Sequence, residues 1–220
     1  MFRKQLKCIS LAVMLSLLPF IAHAQDKAQL PYSIVRSYLE LFKSLEHLNL
    51  VDPTMIVGST NPAVPPQAIE FKIKTSGDWE TFRPEENGVI QFPDQPDWDN
   101  LTLISNQPRG TLELVIGFAA KQMSSTTMSY QDLMGLVPQF NESLAALANM
   151  QGEPPPDIKG LTIQLSEGSG AALHVLSKKG KKTLKSTSNG VVIIRYNEAL
   201  WQENPPIEFD EVPVGIVPLS

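Results

Sequence analysis

Beyond residue 24 this sequence contains no cysteine; its one thiol, Cys8, lies in the apolar N-terminal stretch. That excludes disulfide staples, thiolate metal ligands and cysteine nucleophiles from the rest of the chain, whose stability must come from a packed core. Histidine is nearly as scarce. Only His47 and His174 follow residue 24, too few for a His-rich zinc site. No Gly-x-Ser-x-Gly elbow and no phosphate-cradling glycine loop occurs. Basic residues are also in deficit: losing Arg3, Lys4 and Lys7 with the first 24 residues takes them from 18 to 15, against 23 acidic ones. A chain this acidic repels nucleic-acid phosphates. No later segment reaches the ~20 apolar residues that a bilayer span needs.

The first 24 residues read as an address. Arg3, Lys4 and Lys7 form a basic start, Cys8 to Ile21 form an apolar stretch, and "AHA" at 22–24 places small residues at a cleavage site before Gln25. The expectation is a cleaved signal peptide and a soluble exported product, with no transmembrane anchor left after cleavage. Gln25 also excludes lipid attachment at the cut, which needs a cysteine. Export without disulfides suits a bacterial periplasm, or secretion from it.

What remains is rich in proline, with 17 of 18 beyond residue 24, and this punctuation suits strands joined by tight loops. Two segments escape it. Apolar residues at Ile34, Val35, Tyr38, Leu41, Phe42, Leu45 and Leu48 predict an amphipathic helix over 31–48. A second helical pattern covers 129–150, opened by a Ser129–Asp132 capping box, kinked or split by Pro138 and stopped by Gly152. Strand patterns appear at "AIEFKIK" (68–74), "TLELVIGF" (111–118), "LTIQL" (161–165), "AALHVL" (171–176) and "VVIIRY" (191–196). The stiff "EPPPD" at 153–157 marks a candidate boundary.

Two stretches repeat one order of features. Asn87-Gly88 and Asn189-Gly190 are 102 residues apart, Trp98 and Trp201 are 103 apart, and Asn100 and Asn204 are 104 apart. Pro108-Arg109-Gly110 and Pro213-Val214-Gly215 follow at an offset of 105. Asn-Gly between strand-like arms predicts a hairpin in each copy. The fold class expected is therefore α+β: two units, each a helix plus an antiparallel sheet, related by internal duplication. The units would span 25–125 and 126–220 after the signal at 1–24, and could pack as one domain. A tryptophan after a hairpin ordinarily closes a core, with its indole N–H bonded nearby.

Candidate chemistry is sparse. Ser169 precedes His174 by five residues in "EGSGAALHVL", but "GSG" is first a turn. Asp94, Asp97, Asp99 and Asn100 could offer calcium oxygens, without the glycine and terminal Glu of a twelve-residue calcium loop. Lys178, Lys179, Lys181, Lys182 and Lys185 surround Gly180 and would form a positive knob at a hairpin tip, suited to anionic envelope surfaces or an acidic partner. The candidate binding residues are Trp98, Trp201, Lys178, Lys179, Lys181 and Lys182, with no catalytic residue, metal ligand or cofactor. The function implied is a non-enzymatic binding or interaction module of the bacterial cell envelope, its partner another envelope protein or an anionic surface. The alternatives are an envelope glycan hydrolase with a carboxylate site between the two halves, or a calcium-stabilised adhesion-like module.

Overall fold

The computed structural model describes residues 26–220, and the expected signal peptide and its cleavage site lie outside them. The fold is α+β and rich in antiparallel sheet, and the chain divides into two compact units. Residues 26–46 with 53–117 form the first unit; 47–52 with 118–220 form the second. The proline stretch at 153–157 thus falls inside the second unit rather than between the two. Among the described residues no helix is long and apolar enough to cross a membrane.

In the first unit β1 (Lys27–Pro31) leads directly into α1 (Tyr32–Ser44). Pro31 ends the strand and opens the helix, where a proline's fixed φ and missing N–H are harmless. Helix α1 ends at Ser44, short of the predicted 48, and buries Tyr32 with Val35 and Tyr38 of the predicted apolar face, whereas Ile34 of that face is exposed. After it come β2 (Val51–Ser59), β3 (Phe71–Lys74), β4 (Trp79–Phe82), β5 (Thr102–Pro108) and β6 (Leu112–Ala120), of which residues 51–52 of β2 and 118–120 of β6 are counted with the second unit. One sheet has the order β1-β5-β3-β4; a second ladder pairs β2 with β6, and Val89 bridges to Ile56. Alternation puts Phe71, Ile73 and Leu103 in the core, while Lys72 and Lys74 point outward.

In the second unit the elements are β7 (Thr127–Ser129), α2 (Tyr130–Met134), α3 (Leu136–Gln151), β8 (Gly160–Gln164), β9 (Ala172–Ser177) and β10 (Gly180–Lys185). Then follow β11 (Val191–Arg195), α4 (Glu198–Glu203), β12 (Pro206–Phe209) and β13 (Gly215–Leu219). The sheets are β10-β9-β12-β7 and β11-β8-β13. The expected capping box is present: Ser129 Oγ accepts the Asp132 N–H at 3.1 Å, and Asp132 accepts the Ser129 N–H. The helical stretch splits at Gly135, and Pro138 sits harmlessly in the first turn of α3 instead of kinking it. Gly152 caps α3 at φ 72°, which a left-handed cap requires.

The strand orders of the two units correspond one to one, β1, β5, β3 and β4 matching β7, β12, β9 and β10. Register corresponds as well. Phe71 pairs with Phe82 and Ser105, and Leu173 pairs with Leu184 and Phe209. Leu30 faces Leu103 as Met128 faces Ile207, and the Ile56–Val89 bridge matches the Gln164–Val191 pair.

Two local expectations change. Asn-Gly closes a tight turn, Glu85 N–H bonding Val89 O at 2.8 Å and Thr187 N–H bonding Val191 O at 2.9 Å, but the arms it joins belong to different ladders and the turn is not type I′. In each unit it turns the chain from one ladder toward the other, with Gly88 N–H on Glu85 O at 3.0 Å and Gly190 N–H on Thr187 O at 2.9 Å. Only the glycines have positive φ, whereas the type I′ hairpin turn needs it at both central residues. The Pro-x-Gly match also separates. Gly110 turns at φ 81°, whereas Gly215 opens β13 without a positive φ.

Candidate binding surface

Each unit is locked by a buried tyrosine at its strand–helix junction. Tyr32 N–H bonds Leu101 O at 3.0 Å, and Tyr130 N–H bonds Pro205 O at 2.9 Å. The Tyr32 hydroxyl donates to Pro93 O and accepts the Gln95 N–H at 3.1 Å. Tyr130 repeats this with Arg195 O at 3.3 Å and the Asn197 N–H at 2.8 Å. Burial raises both phenols above their ordinary pKa. A second shared lock joins β3 to β5: Asn106 Oδ1 accepts the Glu70 N–H at 3.0 Å, as Asp210 accepts the Ala172 N–H at 2.9 Å. These paired groups carry architecture.

The two tryptophans diverge in this frame. Trp98 is 9 % exposed, edge-on to Tyr32 at 5.3 Å between centroids and 6.2 Å from Phe82. Its ring belongs to the core and is not displayed for a ligand. Trp201, in α4, is half-buried, its ring 5.8 Å from the exposed Tyr196 and its carbonyl bonded by Gln131 Nε2 at 2.8 Å.

In the acidic loop of 94–100, Asp94 and Asp99 are engaged in ion pairs, while Asp97 and Asn100 are exposed. Asp94 bonds Lys43, which chiefly lowers its pKa, and Arg36 Nε stands 3.6 Å from it. Asp99 bonds Arg36, which also holds Glu40 at 2.8 Å. The loop is thus clasped to α1 rather than pre-formed for calcium, and among the described residues no three His, Cys, Asp or Glu side chains converge for a metal. Ser169 and His174 are not brought together. Ser169 Oγ bonds Ser166 O and Glu211, while His174 bonds Thr183 Oγ1 through Nδ1 and Asp210 Oδ1 through Nε2, each at 3.0 Å. The other histidine, His47, lies 2.7 Å from Glu142.

The lysine knob is where the sequence places it. Lys178 and Lys179 form the tip of the β9–β10 hairpin, closed by the Ser177–Gly180 pair with Gly180 at φ 112°, and Lys178, Lys179, Lys181, Lys182 and Lys185 are all exposed. Lys178 N–H is held by Glu203, which fixes the tip.

One exposed site escapes a reading by motif. Trp79 opens β4 directly opposite Lys74, on the outward face of its sheet, and is 48 % exposed. The Lys74 ammonium lies 5.7 Å from the ring centroid. Beside it a shallow open groove of ≈ 360 Å³ is lined by Lys27, Glu70, Lys72, Trp79, Ile104, Ser105 and Asn106. Glu70 bonds Lys72 at 3.0 Å, which together with Arg83 lowers its pKa. The signal was the turn "TSGD". With Lys72 and Lys74 outward on β3, a four-residue turn returns the next residue to the same face.

Comparison with known proteins finds no matching protein family, no matching curated protein and no matching solved structure.

Proposed function

We propose that this chain is an exported, non-enzymatic binding module of the bacterial cell envelope, built by duplication of a β-α-β unit and released by signal cleavage before Gln25. The observation that carries this reading is a scaffold kept twice while its outward faces differ. Register and junction bonds correspond through Tyr32 and Tyr130, but the faces carry Lys72, Lys74 and Trp79 in one unit and His174, Leu176 and Lys181 in the other. Such a pattern suits surfaces that vary for recognition on a frame that does not. Its partner is another envelope protein or an anionic envelope surface, met through exposed sheet faces and the Lys178–Lys182 hairpin rather than through Trp98.

The carboxylates that the fold perturbs weigh against the glycan-hydrolase alternative. Glu70, Asp94, Glu198 and Asp210 are all shifted downward by hydrogen-bond donors, opposite to what a general acid needs. The calcium alternative is weakened because two of its four candidate ligands, Asp94 and Asp99, are engaged by Lys43 and Arg36.

The test is fractionation of a bacterium expressing the gene, with the intact mass of the product. A periplasmic chain starting at Gln25, captured by a photo-crosslinker at Lys179, supports the reading. A cytoplasmic chain retaining residues 1–24 overturns it.

A further inference from the structure

We propose that the outward face of the β1-β5-β3-β4 sheet is a binding site for an acidic saccharide. The ligand class is a pyranose carrying a carboxylate or phosphate, with Trp79 as the stacking surface and Lys27, Lys72 and Lys74 as the anion partners. The inference deepens the reading of the chain as a binding module and rests on it for biological context.

The second unit serves as an internal control. The position matching Trp79 is Lys181, opposite Leu176 as Trp79 is opposite Lys74. The fold therefore tolerates a charged residue there, and packing does not demand an indole. At the neighbouring position His174 and Thr183 match Lys72 and Thr81. In the second unit this polar face is satisfied internally, His174 bonding both Thr183 and Asp210. In the first unit the groove-lining Glu70 holds Lys72 and Arg83, while Lys27 in the lining and Lys74, whose ammonium stands over the Trp79 ring at the groove's edge, have no carboxylate within 4.0 Å among the described residues. An exposed indole and under-neutralised ammonium groups thus sit together on a chain whose net charge is acidic.

The chemistry of the groove narrows the occupant. Its ≈ 360 Å³ lies at the small end of ligand sites and suits one or two sugar rings. The polarised C–H face of a pyranose meets the negative face of an indole favourably. Ammonium groups then engage the acidic substituent as point charges. An acidic peptide would use the lysines without needing the ring, and a neutral sugar would use the ring without the lysines. An acidic saccharide uses both, and its binding weakens with salt.

The test is isothermal titration of the purified full chain with trigalacturonate and with glucose 1-phosphate, against maltotriose and pentaglutamate. Saturable binding is expected for at least one of the two acidic sugars, at least tenfold tighter than for maltotriose or pentaglutamate. Trp79→Ala, Trp79→Leu and the double variant Lys72→Gln/Lys74→Gln should each weaken it tenfold or more with unchanged thermal melts, while Lys181→Gln should not. No saturable binding of either acidic sugar overturns the proposal. So do equal binding of pentaglutamate, full binding by Trp79→Leu, or loss of the fold in both Trp79 variants. Export is read separately by fractionation, so a cytoplasmic location and an empty groove are distinct failures.

Discussion

Tyr32 and Tyr130 show how single side chains hold these units. Each hydroxyl accepts a loop N–H and donates to a backbone carbonyl, Pro93 O for Tyr32 and Arg195 O at the end of β11 for Tyr130. Tyr32→Phe and Tyr130→Phe strand those groups and should each cost about 1–3 kcal/mol in urea unfolding. Both phenols have raised folded pKa values, so their contribution is complete below about pH 10 and lost as pH rises through the folded value. Alkaline unfolding should be blunted in the double Tyr→Phe variant. The glycines of the repeated turns are equally constrained. A Cβ on Gly88 would lie 2.9 Å from Val57 O, and one on Gly190 would lie 2.4 Å from Leu165 O, at φ 88° and 76°. Gly88→Ala and Gly190→Ala should each lose more than about 1 kcal/mol, whereas Gly77→Ala, with open space and no positive φ, should lose almost nothing.

At the scale of elements, the segment of 94–99 is held against α1 by charge above and by aromatic packing below. Asp94 has a lowered pKa in the fold, so its contribution is present above the ordinary carboxylate range and disappears as pH falls through that lowered value. Melting temperatures measured from pH 6 to pH 2 should drop less for Asp94→Asn than for the parent chain. Trp98→Ala should cost about 3–5 kcal/mol, as loss of a buried ring does, and the half-buried Trp201 should cost clearly less. Equal melts for the two variants would refute their different placement. Elements were largely legible when their signals were local. The Ser129–Asp132 box, the Gly152 cap and the Lys178–Gly180 tip each need only three or four neighbouring residues. The Asn-Gly turns misled because their partners, Val57 and Leu165, come from about 25–30 residues earlier in the chain.

At the scale of the molecule, charge sets the expected behaviour. The exposed lysines of the β9–β10 hairpin lie in an acidic background, and each could add up to about 1 kcal/mol near an anionic surface, screened by salt. Co-sedimentation with phosphatidylglycerol vesicles should fall when Lys178, Lys179, Lys181 and Lys182 are changed to Gln, and should fall likewise in high salt. Composition and pattern were enough to establish a disulfide-free β-rich α+β chain with two amphipathic helical regions, because core burial and turn chemistry follow from residue type and spacing. They could not say which tryptophan is displayed. Trp98, in a repeated motif, goes inside because Tyr32, far along the chain, meets its ring; Trp79, outside any motif, stays in solvent because strand register sends it to the face of Lys72 and Lys74. The turn at 75–78 carries a local hint of where Trp79 points, but the long-range contact that buries Trp98 is a property of the folded chain, and no window of sequence contains it.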